Sequence, residues 1–187
     1  MDTEKIQKAV LAIIKAIGDD PDRQGLADTP QRLAEMYAEL FSGIDMDARE
    51  VLGTGFSAGH HEMVIVRDIP FYSMCEHHFL PFYGTVDIGY IPNANGWVVG
   101  VSKLARVVEI FSRRLQLQER MTKQIADVIV ESLKPDGVAV VIQAEHLCMT
   151  MRGIKKPGSN VVTSAMRGIF QRRPVTRAEF LSLIKEK

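Results

Sequence analysis

At Glu62 the chain changes texture, and that change limits the folds open to it. Before it, apolar residues recur at helical spacing: Ile6, Val10, Ile13 and Ile17 form a run that Gly18 ends. A polar loop over residues 19–28 leads to Thr29 and Pro30, a good N-cap and first-turn pair. They open a second helix carrying Leu33, Tyr37, Leu40 and Phe41, which Gly43 stops. After Glu62, strands take over. Residues 63–66 and 83–91 are apolar runs, and Asn95 with Gly96 predicts a hairpin turn into Trp97, Val98 and Val99. Ser102 is placed to cap a helix carrying Leu104, Val107, Val108 and Phe111, and a second helix runs from Gln118 through Ile125, Val128 and Ile129. Asp136 and Gly137 turn the chain into a long strand over residues 138–149, and 161–170 is a further one. Thr176 and Glu179 make a capping box for a last short helix. Strands joined both by a hairpin and by a pair of helices imply an α+β class with a mainly antiparallel sheet. The reading is one structural domain, with a helical region over 1–60 and the sheet-bearing region over 61–187.

Charge narrows the partners. Lys plus Arg and Asp plus Glu both total 23, so the net charge is zero, which argues against a nucleic-acid or membrane-surface binder. The start has no apolar segment behind a basic one, and no apolar run is long enough for a bilayer, so a cytoplasmic protein is expected. In a reducing compartment its two cysteines, Cys75 and Cys148, suit a metal or catalytic site better than a disulfide.

The densest chemistry is Cys75-Glu76-His77-His78, where a cysteine and a histidine stand close enough to bind one metal from a turn. The matching half is His146-Leu147-Cys148. Strand alternation through residues 138–149 would put Val140, Ile142, Ala144, His146 and Cys148 on one face. Two thiolates and one imidazole around zinc leave a fourth position for water, as catalytic sites do. His77 and His146 would then stand by for proton transfer. Three alternatives stay open at this point. The cysteines and histidines can be ordinary buried residues, the zinc can be structural with His77 or His146 as fourth ligand, or Cys75 can act as a nucleophile without metal.

Between Glu145 and Glu179 no acidic residue occurs, while Arg152, Lys155, Lys156, Arg167, Arg172, Arg173 and Arg177 do. That asymmetry suits a phosphorylated substrate. The chain has no phosphate-cradling glycine loop ending in Gly-Lys-Ser/Thr, so side chains must hold any triphosphate. Lys103 and Arg106, three apart behind Ser102, share a helix face near an N-terminus that favours anions. The Glu119 carboxylate could accept two hydrogen bonds from guanine, though a first-turn acid is common on dipole grounds alone.

Taken together these segments resemble GTP cyclohydrolase I, the metal-dependent form. The strings that carry the resemblance are Ser73-Met74-Cys75-Glu76-His77-His78, Gly100-Val101-Ser102-Lys103-Leu104-Ala105-Arg106, Leu115-Gln116-Leu117-Gln118-Glu119-Arg120 and Glu145-His146-Leu147-Cys148-Met149-Thr150-Met151-Arg152-Gly153. Asp28-Thr29-Pro30-Gln31-Arg32 looks like the family's helix start. The resemblance implies the T-fold, a small antiparallel sheet with two helices on one face, and a homodecamer with active sites between subunits. It implies hydrolysis of GTP at C8 with one Zn²⁺ per subunit, release of formate and rearrangement to 7,8-dihydroneopterin triphosphate. By position, Cys75, His78 and Cys148 correspond to the zinc ligands, and His77 and His146 to the proton-transfer histidines. Gln118 and Glu119 correspond to the guanine-recognition pair, and Ser102, Lys103, Arg106, Arg152 and Arg32 to residues around the triphosphate. One departure is Glu35, which stands where some members carry a lysine.

Overall fold

The computed structural model describes residues 1–53 and 55–185. By their contacts they fall into two units, Met1–Ser42 and Gly43–Lys187. In the first, α1 (Thr3–Ala16) starts where the Asp2 carboxylate accepts from the Lys5 amide at 3.0 Å, a side-chain N-cap. The residues that α1 buries are Val10 and Ile14, whereas Ile13 and Ile17 lie exposed, so the apolar stripe sits one position away from the predicted one. It packs on α2 (Thr29–Leu40), where Pro30 occupies the first turn and the N-cap is Asp28 rather than Thr29.

The second unit opens with α3 (Ala48–Leu52), a single turn that buries Ala48 and Leu52 and has no periodic signal in the sequence. β1 (Phe56–Ser57), β2 (Val64–Cys75), β3 (Pro81–Ile91) and β4 (Trp97–Val98) follow. Next come α4 (Val101–Ser112), β5 (Leu115–Gln116), α5 (Gln118–Leu133), β6 (Gly137–His146) and α6 (Leu147–Thr150). β7 (Asn160–Gly168), α7 (Ile169–Arg172) and α8 (Pro174–Lys185) complete it. The main sheet runs β5-β2-β3-β6-β7, antiparallel throughout except for the short β5–β2 pairing.

Period-two alternation builds two cores from this sheet. Val138, Val140, Ile142 and Ala144 of β6, with Val86 and Ile88 of β3, face α4 and α5 through Leu104, Val107, Met121, Ile125 and Ile129. Ala139 and Val141 point the other way, into a smaller cluster with Phe170 of α7 and Phe180 of α8. Gly89 makes room there, since a Cβ on it would come within 2.7 Å of the Phe180 ring. The fold is thus α+β, with an antiparallel sheet and two helices on one face, preceded by N-terminal helices: the T-fold arrangement.

Several local expectations change. Gly96, with φ +62°, does turn the chain, but β4 pairs with β1 in a separate ribbon instead of forming a hairpin with β3. Ser102 lies inside α4, whose N-cap is Gly100 without a side-chain bond. The last helix starts at Pro174, ahead of the capping box. The strand expected to reach residue 149 stops at His146, opposite Phe82. The next residue on β3 is Pro81, which has no N–H to extend the ladder, and the chain folds into the turn of α6.

Candidate metal centre and active site

Cys75 ends β2 with its amide bonded to Leu80 O at 2.9 Å, which pinches residues 76–79 into a tight turn. The His78 and Phe79 amides both return to Cys75 O, at 3.3 and 2.9 Å, and Phe79 takes φ +52° to close the loop. The turn folds the His78 ring back over the cysteine, leaving Cys75 Sγ and His78 Nδ1 3.8 Å apart. Cys148 arrives from α6 rather than from strand alternation. The ligand atoms of Cys75, His78 and Cys148 lie within 4.8 Å of one another, and among the described residues this is the one such group of His, Cys, Asp or Glu.

The donor set fits zinc. Zn–S of ~2.3 Å and Zn–N of ~2.0 Å at tetrahedral angles put sulfur and nitrogen about 3.5 Å apart, near the separation here. Burial, and then the neighbouring Cys75, push the Cys148 thiol upward, so in the protein alone two thiolates disfavour one another. A cation between them reverses that. His77 and His146 stay outside the group, which offers three donor atoms among the described residues.

His146, the last residue of β6, stacks on Phe82 with ring centroids 4.6 Å apart and planes 6° from parallel. Its Nε2 lies 2.8 Å from Gln118 Oε1. Half-burial holds its pKa below the ordinary imidazole value, opposed by the negative charge of Glu119. His77 is exposed on the turn, its ring edge-on to His78 at 6.1 Å between centroids. Between Cys75 and His78, Glu76 forms a two-pronged ion pair with Arg120 of α5, at 2.5 and 2.9 Å. That pair ties the metal turn to the helix carrying Gln118 and Glu119. Arg120 holds the Glu76 carboxyl below the usual range.

The remaining predicted contacts divide. Glu119 is exposed and borders a cleft of about 370 Å³ with Thr122, Lys123 and residues 163–167. Gln118 is buried, its amide engaged by the protein. Lys103 turns away to donate to Leu52 O at 2.8 Å, at the C-terminal end of α3. Ser102, Arg106 and Arg152 are exposed. Arg32 belongs to the N-terminal unit, where it reaches Asp28 at 3.6 Å, and Glu35 there accepts from Gln31. A roomier cleft of about 420 Å³, bordered by Asp45, Asp47, Arg49, Arg114, Asp127 and Glu131, contains none of the predicted site residues.

A family model described as GTP cyclohydrolase I matches residues 6–185. The chain belongs to the GTP cyclohydrolase I family. It is 64% identical over 186 residues to the GTP cyclohydrolase 1 of Dehalococcoides mccartyi, covering 100% of this chain and 98% of that one. It is 61% identical to the GTP cyclohydrolase 1 of Carboxydothermus hydrogenoformans, over 98% of this chain and 95% of that one. Among solved structures, an archaeosine synthase of the QueF-like type in the apo form aligns with 57% of this chain and 93% of that one, at 19% identity and TM-score 0.45, too slight a likeness to bear on the site.

The sequence reading passed over several residues that pack about this group. Arg120 directly follows Glu119 in one string and Glu76 sits inside another, so adjacency was the available signal. Phe82, Thr122 and Thr163 carried none. They meet the site only because β3, α5 and β7 converge there.

Proposed function

We infer that this chain is a GTP cyclohydrolase that opens the imidazole ring of GTP at C8, releases formate and yields 7,8-dihydroneopterin triphosphate. The observation that carries the reading is a three-donor group, Cys75, His78 and Cys148, beside a half-buried histidine, in a member of this family. Those three residues would hold a zinc ion, one per chain. When bound, it supplies the Lewis acidity that makes water nucleophilic near neutral pH. His146, whose half-burial holds its pKa below the ordinary imidazole value, would take up and return a proton at the purine. His77, exposed on the same turn, serves the later proton transfers. The Glu119 carboxylate accepts from N1–H and the exocyclic amine of guanine, donors that adenine does not present together. Arg152, Arg106, Lys103, Ser102 and Arg32 supply positive charge and donors for the triphosphate, with Lys103 keeping further N–H groups beyond the one given to Leu52.

A homodecamer with sites between subunits is part of the same reading. β7 is one edge of the sheet, and most of β2 pairs with β3 alone, so each chain carries two open edges that copies can join in a closed ring. Thiolate ligands fit the reducing cytoplasm, where we place the protein. The reaction is tested with purified protein, GTP and zinc, with and without chelator, reading fluorescent neopterin after oxidation and dephosphorylation. Chelator-sensitive neopterin is expected. Intact GTP from assembled protein with bound zinc would contradict the assignment.

A further inference from the structure

Gln118 opens α5 yet is only 1% exposed, and its side chain has two N–H donors and one acceptor oxygen to place. Nε2 lies 3.1 Å from Ile142 O, 3.0 Å from Val161 O and 3.1 Å from Thr163 Oγ1. Backbone carbonyls only accept, so the amide nitrogen must face β6 and β7 and the oxygen must face away. That oxygen lies 2.8 Å from His146 Nε2. An amide oxygen also only accepts, so the hydrogen sits on Nε2 of the imidazole. The neighbouring hydroxyls agree with this direction. Thr122 donates to the Gln118 backbone oxygen at 2.7 Å, so it must accept from Thr163, also at 2.7 Å. Thr163 is thereby left with lone pairs for the glutamine. On its flat side the imidazole rests on Phe82, which resists rotation of the ring.

We propose that Gln118 is a positioning residue that locks His146 in the Nε2–H form and so leaves Nδ1 as the one acceptor nitrogen of the neutral ring. This role differs from reading the base. An amide whose hydrogens are all committed inside the protein has no donor left for guanine, and base recognition falls to the exposed neighbour, Glu119. The proposal rests on the hydrolase reading for its consequence, but the tautomer itself is independent of turnover.

The test uses two variants of the zinc-loaded protein. Gln118→Met keeps the side-chain length and removes the acceptor, and Thr163→Val removes one anchor of the amide. For each, kcat and KM for GTP and bound zinc are measured, together with solid-state ¹⁵N spectra of histidine-labelled protein. The His146 signal is identified by its loss in His146→Asn. Wild type should show His146 protonated at Nε2. Gln118→Met should show both tautomers, with kcat lowered about 10- to 100-fold, KM little changed and zinc retained. Thr163→Val should shift both readouts the same way by less. Raised KM with unchanged kcat in Gln118→Met would make Gln118 a base reader and overturn the proposal, as would Nδ1–H on wild-type His146. If Gln118→Met does not assemble, Thr163→Val decides: a wild-type tautomer and kcat there overturn it. Failure of the hydrolase reading looks different, because wild type would then leave GTP intact whatever the spectra show.

Discussion

Glu76 and Arg120 lie 44 positions apart, and each stands beside a residue with a chemical assignment. Glu76 separates Cys75 from His77, and Arg120 follows Glu119. The pair is partly exposed, with side chains at 28% and 44%, so little stability is expected from it. Its value is positional: two parallel N–H···O bonds fix the angle between the metal turn and α5. Arg120→Met should therefore leave folding intact while zinc is lost to chelator about 10-fold faster, measured with a zinc dye. Unchanged zinc release would show that the turn is held by its backbone bonds alone. Individual residues also show what the sequence could convey. The grouping of Cys75, His78 and Cys148 was legible because donor residues leave a residue-type signature in a chain with two cysteines. Lys103 was read as a phosphate contact from charge and spacing. Its bond to Leu52 O depends on α3, a five-residue turn too short to leave a periodic pattern.

At the level of elements, alternation in β6 and helical spacing in α4 and α5 placed the core, since each buries one face against the other. What stayed hidden were ends and pairings. Where β6 stops depends on a proline in a neighbouring strand, and β4 joins β1 across a span that no local turn signal encodes. The second face of the sheet was hidden for the same reason, because α7 and α8 return to it only in three dimensions. Gly89 is the contact point. Gly89→Val should destabilise the protein by ~1–3 kcal/mol through overpacking against Phe180, read as a lowered denaturant midpoint. Phe180→Leu in the same chain should recover part of the loss. A neutral Gly89→Val would mean that α8 does not seat on the sheet as described.

Considered whole, the second unit places a sulfur- and nitrogen-rich group, the half-buried His146 and the exposed Glu119 at one end of the main sheet. The cores and the metal group close within one chain. In the second unit Ser102, Arg106 and Arg152 are exposed. The proposed function makes ring opening of GTP depend on a metal held by Cys75, His78 and Cys148. Its most direct test strips the purified protein with chelator, returns zinc in steps, and plots neopterin formed against zinc bound, with Cys148→Ser alongside. The account predicts activity rising in proportion to bound zinc up to about one per chain, as the three-ligand group implies, and little binding or turnover in the variant. Turnover in metal-free protein, or full zinc binding with no turnover, would contradict it.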